Sequence, residues 1–312
     1  MAVSSWQQAV HSQQPPTPPR HHGTTAPRHH GTTSPSEKRL GGQEVRKEEK
    51  GEWIRKPEMP DQWMISYDYK EMHLKFRLGL TAFGHIGVFP EQAENWNYIY
   101  DLIQSAVGNE QLAGNTGDKK PDPGSRIQDP GSSFRVLNLF AYTGGASLAA
   151  KAAGADVVHV DSVKQVINWA REDMENSNLD GIRWVIEDAI KFVRREVKRG
   201  NHYDGIILDP PAYGRGPDGE KWILEDSIDE MIALCNQLLS GQSAVPSGQW
   251  AVGSQQSPFF ILSLYSMGFS SLIGENLVRS HFSNIGELQT GELCFPDRGG
   301  RNLPLGTVTR FY

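Results

Sequence analysis

Apolar positions along the chain follow two different periods, and the change from one to the other marks its elements. Trp63-Met64-Ile65-Ser66-Tyr67 and the every-second-residue set Met72, Leu74, Phe76, Leu78 have the spacing of β-strands. Trp96, Ile99, Tyr100 and Ile103 then recur at helical spacing. Residues 107–133 are rich in Gly, Asp, Pro and Ser and read as a long loop. From Arg135 a regular alternation begins. Strands are expected at 136–141, 157–160 (ending in Asp161), 182–186, 205–208 and 259–264, with helices at 146–153, after Asp161 through Ala170, at 189–197, 228–239 and around 272–278. Two final strands surround 288–295 and 306–311. Strands alternating with helices predict an α/β fold with a mostly parallel sheet, an antiparallel late strand and helices on both faces. In such sheets ligands bind beyond the carboxyl ends of the strands.

Residues 1–51 break this pattern. Pro15, Pro16, Pro18 and Pro19 sit among Gln, Thr, His and Ser, and the octapeptide Pro19 to Ala26 recurs almost unchanged as Pro27 to Ser34. So few apolar side chains cannot offset the entropy of ordering, and the expected organisation is a disordered low-complexity tail. It is followed by a small β extension at 52–92 and a main domain at 93–312 that carries the 107–133 loop. The pairs His21/His22 and His29/His30 fit a solvated tail better than a metal site. The chain holds two cysteines and carries a formal net charge of −6. Two thiols cannot form a disulfide framework or a four-thiolate zinc site. The net charge excludes a global basic field for nucleic acid, though not a local basic patch. No stretch is long and apolar enough to span a bilayer, and the N-terminus lacks a signal-peptide core. The expectations are no membrane, no metal and a cytoplasmic protein, with organelle import through the tail left open and the oligomeric state undetermined.

Two strand ends carry chemistry. The first reads Asn138-Leu-Phe140-Ala141-Tyr142-Thr143-Gly144-Gly145. Its glycines permit a tight turn with no Cβ to block a ligand, and the helix start that follows can hold a carboxylate. The next strand ends in Asp161-Ser162, where a carboxylate can accept from both hydroxyls of a ribose. The third ends in Glu187-Asp188, along the same rim. The turn is not Gly-x-Gly-x-x-Gly, so it lacks the close backbone approach a pyrophosphate needs. A nucleoside bearing a carboxylate and an ammonium suits it better. The second strand end, Asp209-Pro210-Pro211-Ala212-Tyr213-Gly214-Arg215, is stiffened by two prolines that also remove two N–H donors. It presents Asp209 at the rim, with Tyr213 available to stack on a base and Arg215 to contact phosphate.

Phe140 to Gly145 together with Asp209-Pro-Pro-Ala-Tyr-Gly-Arg-Gly-Pro-Asp-Gly-Glu220 resembles the class I, Rossmann-like S-adenosylmethionine-dependent methyltransferases that include bacterial 23S ribosomal RNA methyltransferases making 5-methylcytosine or 7-methylguanine. Gly87-Val-Phe-Pro-Glu-Gln92 is similar to that family's pre-sheet segment, with Ala93 where Arg is common. The resemblance covers Trp53 to Tyr312, apart from the loop before Phe134. It implies S-adenosylmethionine as cofactor, with Phe140 to Gly145 around its methionine moiety. Asp161 would lie on the ribose, Asp188 near the adenine and Asp209 at the methyl-transfer end. Gln92, Asn138 and Ser162 complete the implied cofactor set, and Asp209, Pro210, Pro211 and Tyr213 the catalytic one. Makers of 5-methylcytosine need a cysteine beside the Asp-Pro-Pro motif or after the fifth strand. Here those places hold Ala212-Tyr213 and Ser263-Leu-Tyr-Ser266, while Cys235 and Cys294 fall within a helix and a late strand.

The function expected is methyl transfer to RNA, ribosomal RNA foremost, on nitrogen rather than cytosine C5. Two rivals stay open: a methyltransferase acting on protein or a small molecule, and a catalytically silent domain that binds RNA or a partner. Several features fit either of two roles. The basic run Lys191, Arg194, Arg195, Lys198, Arg199 suits a solvated helix face better than an RNA grip. Trp222 and Glu225 could order the Asp-Pro-Pro loop or close over substrate. Arg298-Gly-Gly-Arg301 could be a phosphate clamp or a hairpin turn.

Overall fold

The computed structural model describes residues 53, 55, 58–81, 85–113, 134–239, 258–265, 270–283 and 285–312. The repeated octapeptide, the paired histidines and most of the expected loop lie outside them.

The chain opens with a hairpin, β1 (Gln62–Tyr69) and β2 (Met72–Gly79), paired in antiparallel register from Gln62↔Gly79 to Tyr69↔Met72. A single 3-10 turn (Pro90–Gln92) leads into α1 (Ala93–Ala113). That helix continues past residue 107, where the composition predicts loop. Gly and Asn lower helix propensity without forbidding a helix that nucleates on buried Trp96, Ile99 and Ile103. The α/β alternation follows: β3 (Arg135–Leu139), α2 (Gly145–Ala152), β4 (Asp156–Asp161), α3 (Lys164–Asn176), β5 (Arg183–Ile186), α4 (Ala189–Arg199) and β6 (Gly205–Leu208). A short hairpin comes next, β7 (Tyr213–Arg215) with β8 (Lys221–Ile223). The chain ends with α5 (Leu224–Leu238), β9 (Phe259–Leu264), α6 (Ser271–His281), β10 (Gln289–Pro296) and β11 (Asn302–Phe311).

Seven strands form one sheet in the order β10-β11-β9-β6-β3-β4-β5. Strands β3, β4, β5, β6 and β9 are parallel, and β11 runs antiparallel to both β9 and β10. From β3 the chain winds outward through β4 and β5, then returns to lay β6 and β9 on the other side. The strand order therefore reverses between β3 and β6, which opens a crevice at their carboxyl ends.

The sheet is covered on both faces. Alternate residues of one strand point to opposite faces, so Val136 belongs to one buried cluster while Leu137 and Leu139 belong to the other. The first cluster takes in α1, α2 and the β1–β2 hairpin; the second takes in α4, α5 and α6. The hairpin is therefore packed into the same core as the sheet. It is fastened to α3 by polar contacts too: Arg77 N–H donates to Asp173 Oδ1 at 2.7 Å, Lys75 N–H to Ser177 Oγ at 2.9 Å, and Trp169 Nε1–H to the Arg77 carbonyl at 2.7 Å.

Asp173 is fully buried and its Oδ2 has no hydrogen-bond donor. Burial pushes its carboxyl up to about 7, against the pull of the Arg77 amide and guanidinium. The folded value lies above that of an unfolded aspartate. The resulting stabilisation is complete below about pH 4 and is lost as pH rises towards 7. Asp173→Asn keeps an acceptor for the Arg77 amide and cannot ionise. It is expected to gain about 1–3 kcal/mol over the parent at pH 8, and less than half as much at pH 5. Denaturant titrations at the two pH values check this, and an equal gain at both would contradict it.

Candidate active site

The site is built on a strained turn. After β3 the chain passes through Phe140 (φ 55°), Tyr142 (φ 48°) and Gly144 (φ 87°), so three of five residues lie in the left-handed region. For the two aromatics this costs about 1–3 kcal/mol each, which the surroundings must offset. Ala141 N–H donates to the Val160 carbonyl at 3.1 Å and Gly144 N–H to the Ala141 carbonyl at 3.0 Å. Tyr142 N–H donates to Asp161 Oδ2 at 2.9 Å, and Thr143 Oγ1–H to the Gly87 carbonyl at 2.6 Å. Phe140 packs on Trp222 with ring centroids 4.7 Å apart, and Tyr142 on Phe89 at 5.1 Å.

Asp161 ends β4 with both carboxylate oxygens engaged, Oδ2 by the Tyr142 amide and Oδ1 by the Val163 amide at 2.9 Å. Each oxygen retains a further lone pair. Burial raises its proton affinity, while the backbone donors oppose that shift. Beneath the turn runs a buried polar chain: Asn138 Nδ2–H donates to Ser147 Oγ at 2.9 Å, and Ser147 Oγ meets His159 Nδ1 at 3.0 Å. Burial pushes His159 down to about 3, so this imidazole is neutral.

The role read for the glycines needs correction. A Cβ on Gly145 would stand 2.4 Å from Trp96 Cζ2, and one on Gly144 3.3 Å from the Ala170 Cβ. The space their missing side chains leave is filled by the protein itself. They admit the left-handed turn and close helix packing, and any ligand meets their backbone instead.

The opposite wall comes from β6 and the segment before α1. Asp209 follows β6, and its Oδ2 accepts from Gln92 Nε2 at 3.1 Å. The same Gln92 nitrogen donates to the Tyr265 hydroxyl at 2.7 Å. Burial, with Glu91 nearby, pushes the Asp209 carboxyl up to about 7. Glu91 is itself raised by burial, partly relieved by a hydrogen bond from Tyr265. The Tyr265 phenol is driven far above its ordinary value by burial and these two carboxylates.

One cleft gathers Gln92, Asn138, Phe140, Ala141, Tyr142, Thr143, Gly144, Gly145 and Asp209. Asp161 holds that turn from behind Tyr142, and Ser162 follows it on the rim. Asp188 lies one strand further out, at the start of α4, where its Oδ1 accepts the Lys191 amide and caps the helix. Pro210 is buried beside Asp209 and Pro211 is exposed. Tyr213 does not line the cleft: it opens β7, half exposed, opposite Ile223. Two prolines drive the chain outward before Tyr213 can turn back.

Trp222 is buried and its Nε1–H donates to the Pro211 carbonyl at 2.6 Å, so it orders the Asp-Pro-Pro turn. Glu225 is exposed. Arg194 pairs with Glu230, Arg195 with Glu187, Arg199 with Glu196 and Lys191 with Glu220, so most of the α4 cations are already neutralised by acids. Arg298 to Arg301 form the β10–β11 turn, where Arg301 pairs with Asp297. Cys235 is fully buried, with its thiol pushed up, and Cys294 lies on β10; neither lines the cleft. Glu91, Trp96 and Tyr265 were missed as site residues. Glu91 sits inside the Gly87 to Gln92 segment and Tyr265 just after the fifth strand, but what brings Tyr265 to the site is that β9 ends beside β6. Among the described residues there is no His/Cys/Asp/Glu group able to hold a metal ion, and no helix long and apolar enough to cross a membrane.

This geometry agrees with comparisons to known proteins. Residues 88–240 match the family model described as S-adenosylmethionine-dependent methyltransferase. The fold superposes on the crystal structure of an S-adenosylmethionine-dependent methyltransferase from Agrobacterium tumefaciens with TM-score 0.63 and 32% identity, covering 81% of this chain and 70% of that one. The chain belongs to the S-adenosylmethionine-dependent methyltransferase family. It is 38% identical over 85 residues to ribosomal RNA large subunit methyltransferase I of Aeromonas salmonicida, 26% of this chain and 22% of that protein. It is 29% identical over 180 residues to a Methanocaldococcus jannaschii protein provisionally named as a ribosomal RNA large subunit methyltransferase, 57% of this chain and 39% of that one. The matched stretch thus spans well under two thirds of these curated relatives.

Gly145→Ala forces Trp96 or the turn to move. It is expected to cost about 1–3 kcal/mol in chemical denaturation. Gly291→Ala, with no atom within 4 Å of the new methyl, is expected to leave stability within about 0.5 kcal/mol. Equal effects of the two substitutions would remove the packing argument.

Proposed function

We propose that this cleft binds S-adenosylmethionine and that the chain transfers a methyl group to RNA, with ribosomal RNA as the substrate class and a nitrogen as the target. The observation that carries the proposal is one cleft that brings Asp209, whose carboxyl burial pushes up to about 7, together with the uncapped start of α2.

The residues fit this cofactor. Helix α2 has no side-chain cap, so its first backbone N–H groups remain for a carboxylate. Asp161 keeps lone pairs for ribose hydroxyls. Ile186 ends β5 opposite Asp161 and Val163 precedes α3 just beyond β4; both are exposed apolar side chains and suit the face of a purine. Asp188 stands beyond them for the adenine edge. When bound, S-adenosylmethionine supplies the electrophilic methyl group of its sulfonium. The protein orients the acceptor in line and removes its proton. Asp209 suits that work: its ionised form accepts N–H from a target amine or from the cofactor's ammonium, and its proton affinity matches neutral pH. No thiol reaches the cleft to add to C6 of a pyrimidine, which favours nitrogen over carbon. The RNA assignment draws on the names of the relatives. On the surface, Arg215 beside the Asp-Pro-Pro turn and Arg298 at the β10–β11 tip form no ion pair among the described residues and are free for phosphate.

Calorimetry with S-adenosylmethionine is expected to show binding that Asp161→Ala weakens by about 1–3 kcal/mol. Transfer of labelled methyl to ribosomal RNA, with total protein and small metabolites as parallel acceptors, identifies the substrate. Asp209→Asn is expected to slow that transfer by about 10²–10⁴-fold. Absence of cofactor binding would end this assignment.

A further inference from the structure

Gln92 presents its amide nitrogen to two acceptors at once, Asp209 Oδ2 at 3.1 Å and the Tyr265 hydroxyl at 2.7 Å. A side-chain amide is nearly symmetric in shape, so nothing steric prevents the reverse orientation, with Oε1 against those same oxygens. What fixes its sense lies outside the cleft. Gln92 Oε1 accepts from Asn95 Nδ2 at 2.8 Å, and Asn95 Oδ1 accepts from Arg310 Nη1 at 2.9 Å. A guanidinium has donors and no acceptor, so the polarity of the whole chain is set at its far end. Arg310 is itself held: Nε donates to Gln289 Oε1 at 3.0 Å, Nη2 to Glu94 Oε1 at 2.9 Å, and the guanidinium lies 4.1 Å from the Tyr98 ring centroid. Asn95 is 1% exposed and Gln92 8%, so bulk water offers no ready substitute for a lost partner.

We infer that Arg310 and Asn95 are positioning residues of the active site: the guanidinium on β11 dictates, through two side-chain amides, that N–H groups and not a carbonyl face Asp209 and Tyr265. The consequence is electrostatic. A donor at Asp209 favours its ionised form, whereas a carbonyl in the same place would oppose it. The titratable groups facing Asp209 are Glu91, from the turn before α1, and Tyr265, from the end of β9. Having accepted the Gln92 N–H, Tyr265 turns its own hydrogen to Glu91. The relay therefore orders both carboxylates of the site.

The inference rests on the proposed cofactor site, because cofactor binding is its readout. Asn95→Asp tests it with almost no change of volume. The new carboxylate still accepts from Arg310 but cannot donate to Gln92 Oε1. The Gln92 amide then turns its nitrogen to residue 95 and its oxygen to Asp209. Affinity for S-adenosylhomocysteine, measured by calorimetry from pH 5.5 to 8.5, is expected to rise through a midpoint near 7 in the parent as Asp209 ionises and attracts the ligand's ammonium. In Asn95→Asp the midpoint is expected about one pH unit higher. Arg310→Leu should shift it in the same direction and Arg310→Lys, which keeps a donor, less. Thermal melts establish that each variant is folded, and Arg310→Lys keeps the test open if the others are not. A parent midpoint unmoved by Asn95→Asp, uniform weakening at every pH, or a parent affinity flat across the range would each overturn the relay. A parent that binds no S-adenosylhomocysteine at any pH would instead overturn the methyltransferase reading.

Discussion

The contact between the Asp161 carboxylate and the Tyr142 backbone N–H is the constraint on which the site is built. It joins the end of β4 to a turn leaving β3 in which two aromatic residues occupy left-handed backbone. Such backbone persists only where neighbouring structure over-determines it. Here the determinants come from four directions: β4, the pre-helix segment at Gly87, Trp96 from α1, and Trp222 from β8 after the Asp-Pro-Pro turn. The turn is thus a product of the whole fold. It aims the free amides of α2 at the crevice where the strand order reverses.

A second feature is the amount of buried charge the protein tolerates around that crevice. Glu91, Asp161 and Asp209 all have carboxyls raised by burial, and Asp173 behaves likewise beneath the hairpin. Each would be more stable in water, so each weakens the fold near neutral pH. In the cleft the same desolvation brings a carboxyl into the range where it can exchange a proton at neutral pH. At Asp173 it fastens the hairpin to α3 through one backbone amide. The surface follows the opposite rule: the α4 cations find acidic partners across short distances, and exposed pairs of this kind contribute little to stability.

By itself the sequence determined the class of fold and most of one wall of the site. Alternating strand and helix periods imply a covered, mostly parallel sheet, and the exits of β3, β4 and β6 before Phe140, at Asp161 and at Asp209 then share a rim. Those are consequences of local periodicity, which the chain carries in every window. Tertiary structure alone decided the rest. Tyr265 meets Gln92 across 173 residues, and Arg310 meets Asn95 across 215. Tyr213 lies next to the motif, yet it opens β7 half exposed and does not line the cleft. Gly145 looked shaped for a ligand and is shaped for Trp96. Hydrogen-bond polarity, burial and the direction of a side chain depend on what the fold brings alongside, and no local pattern encodes that.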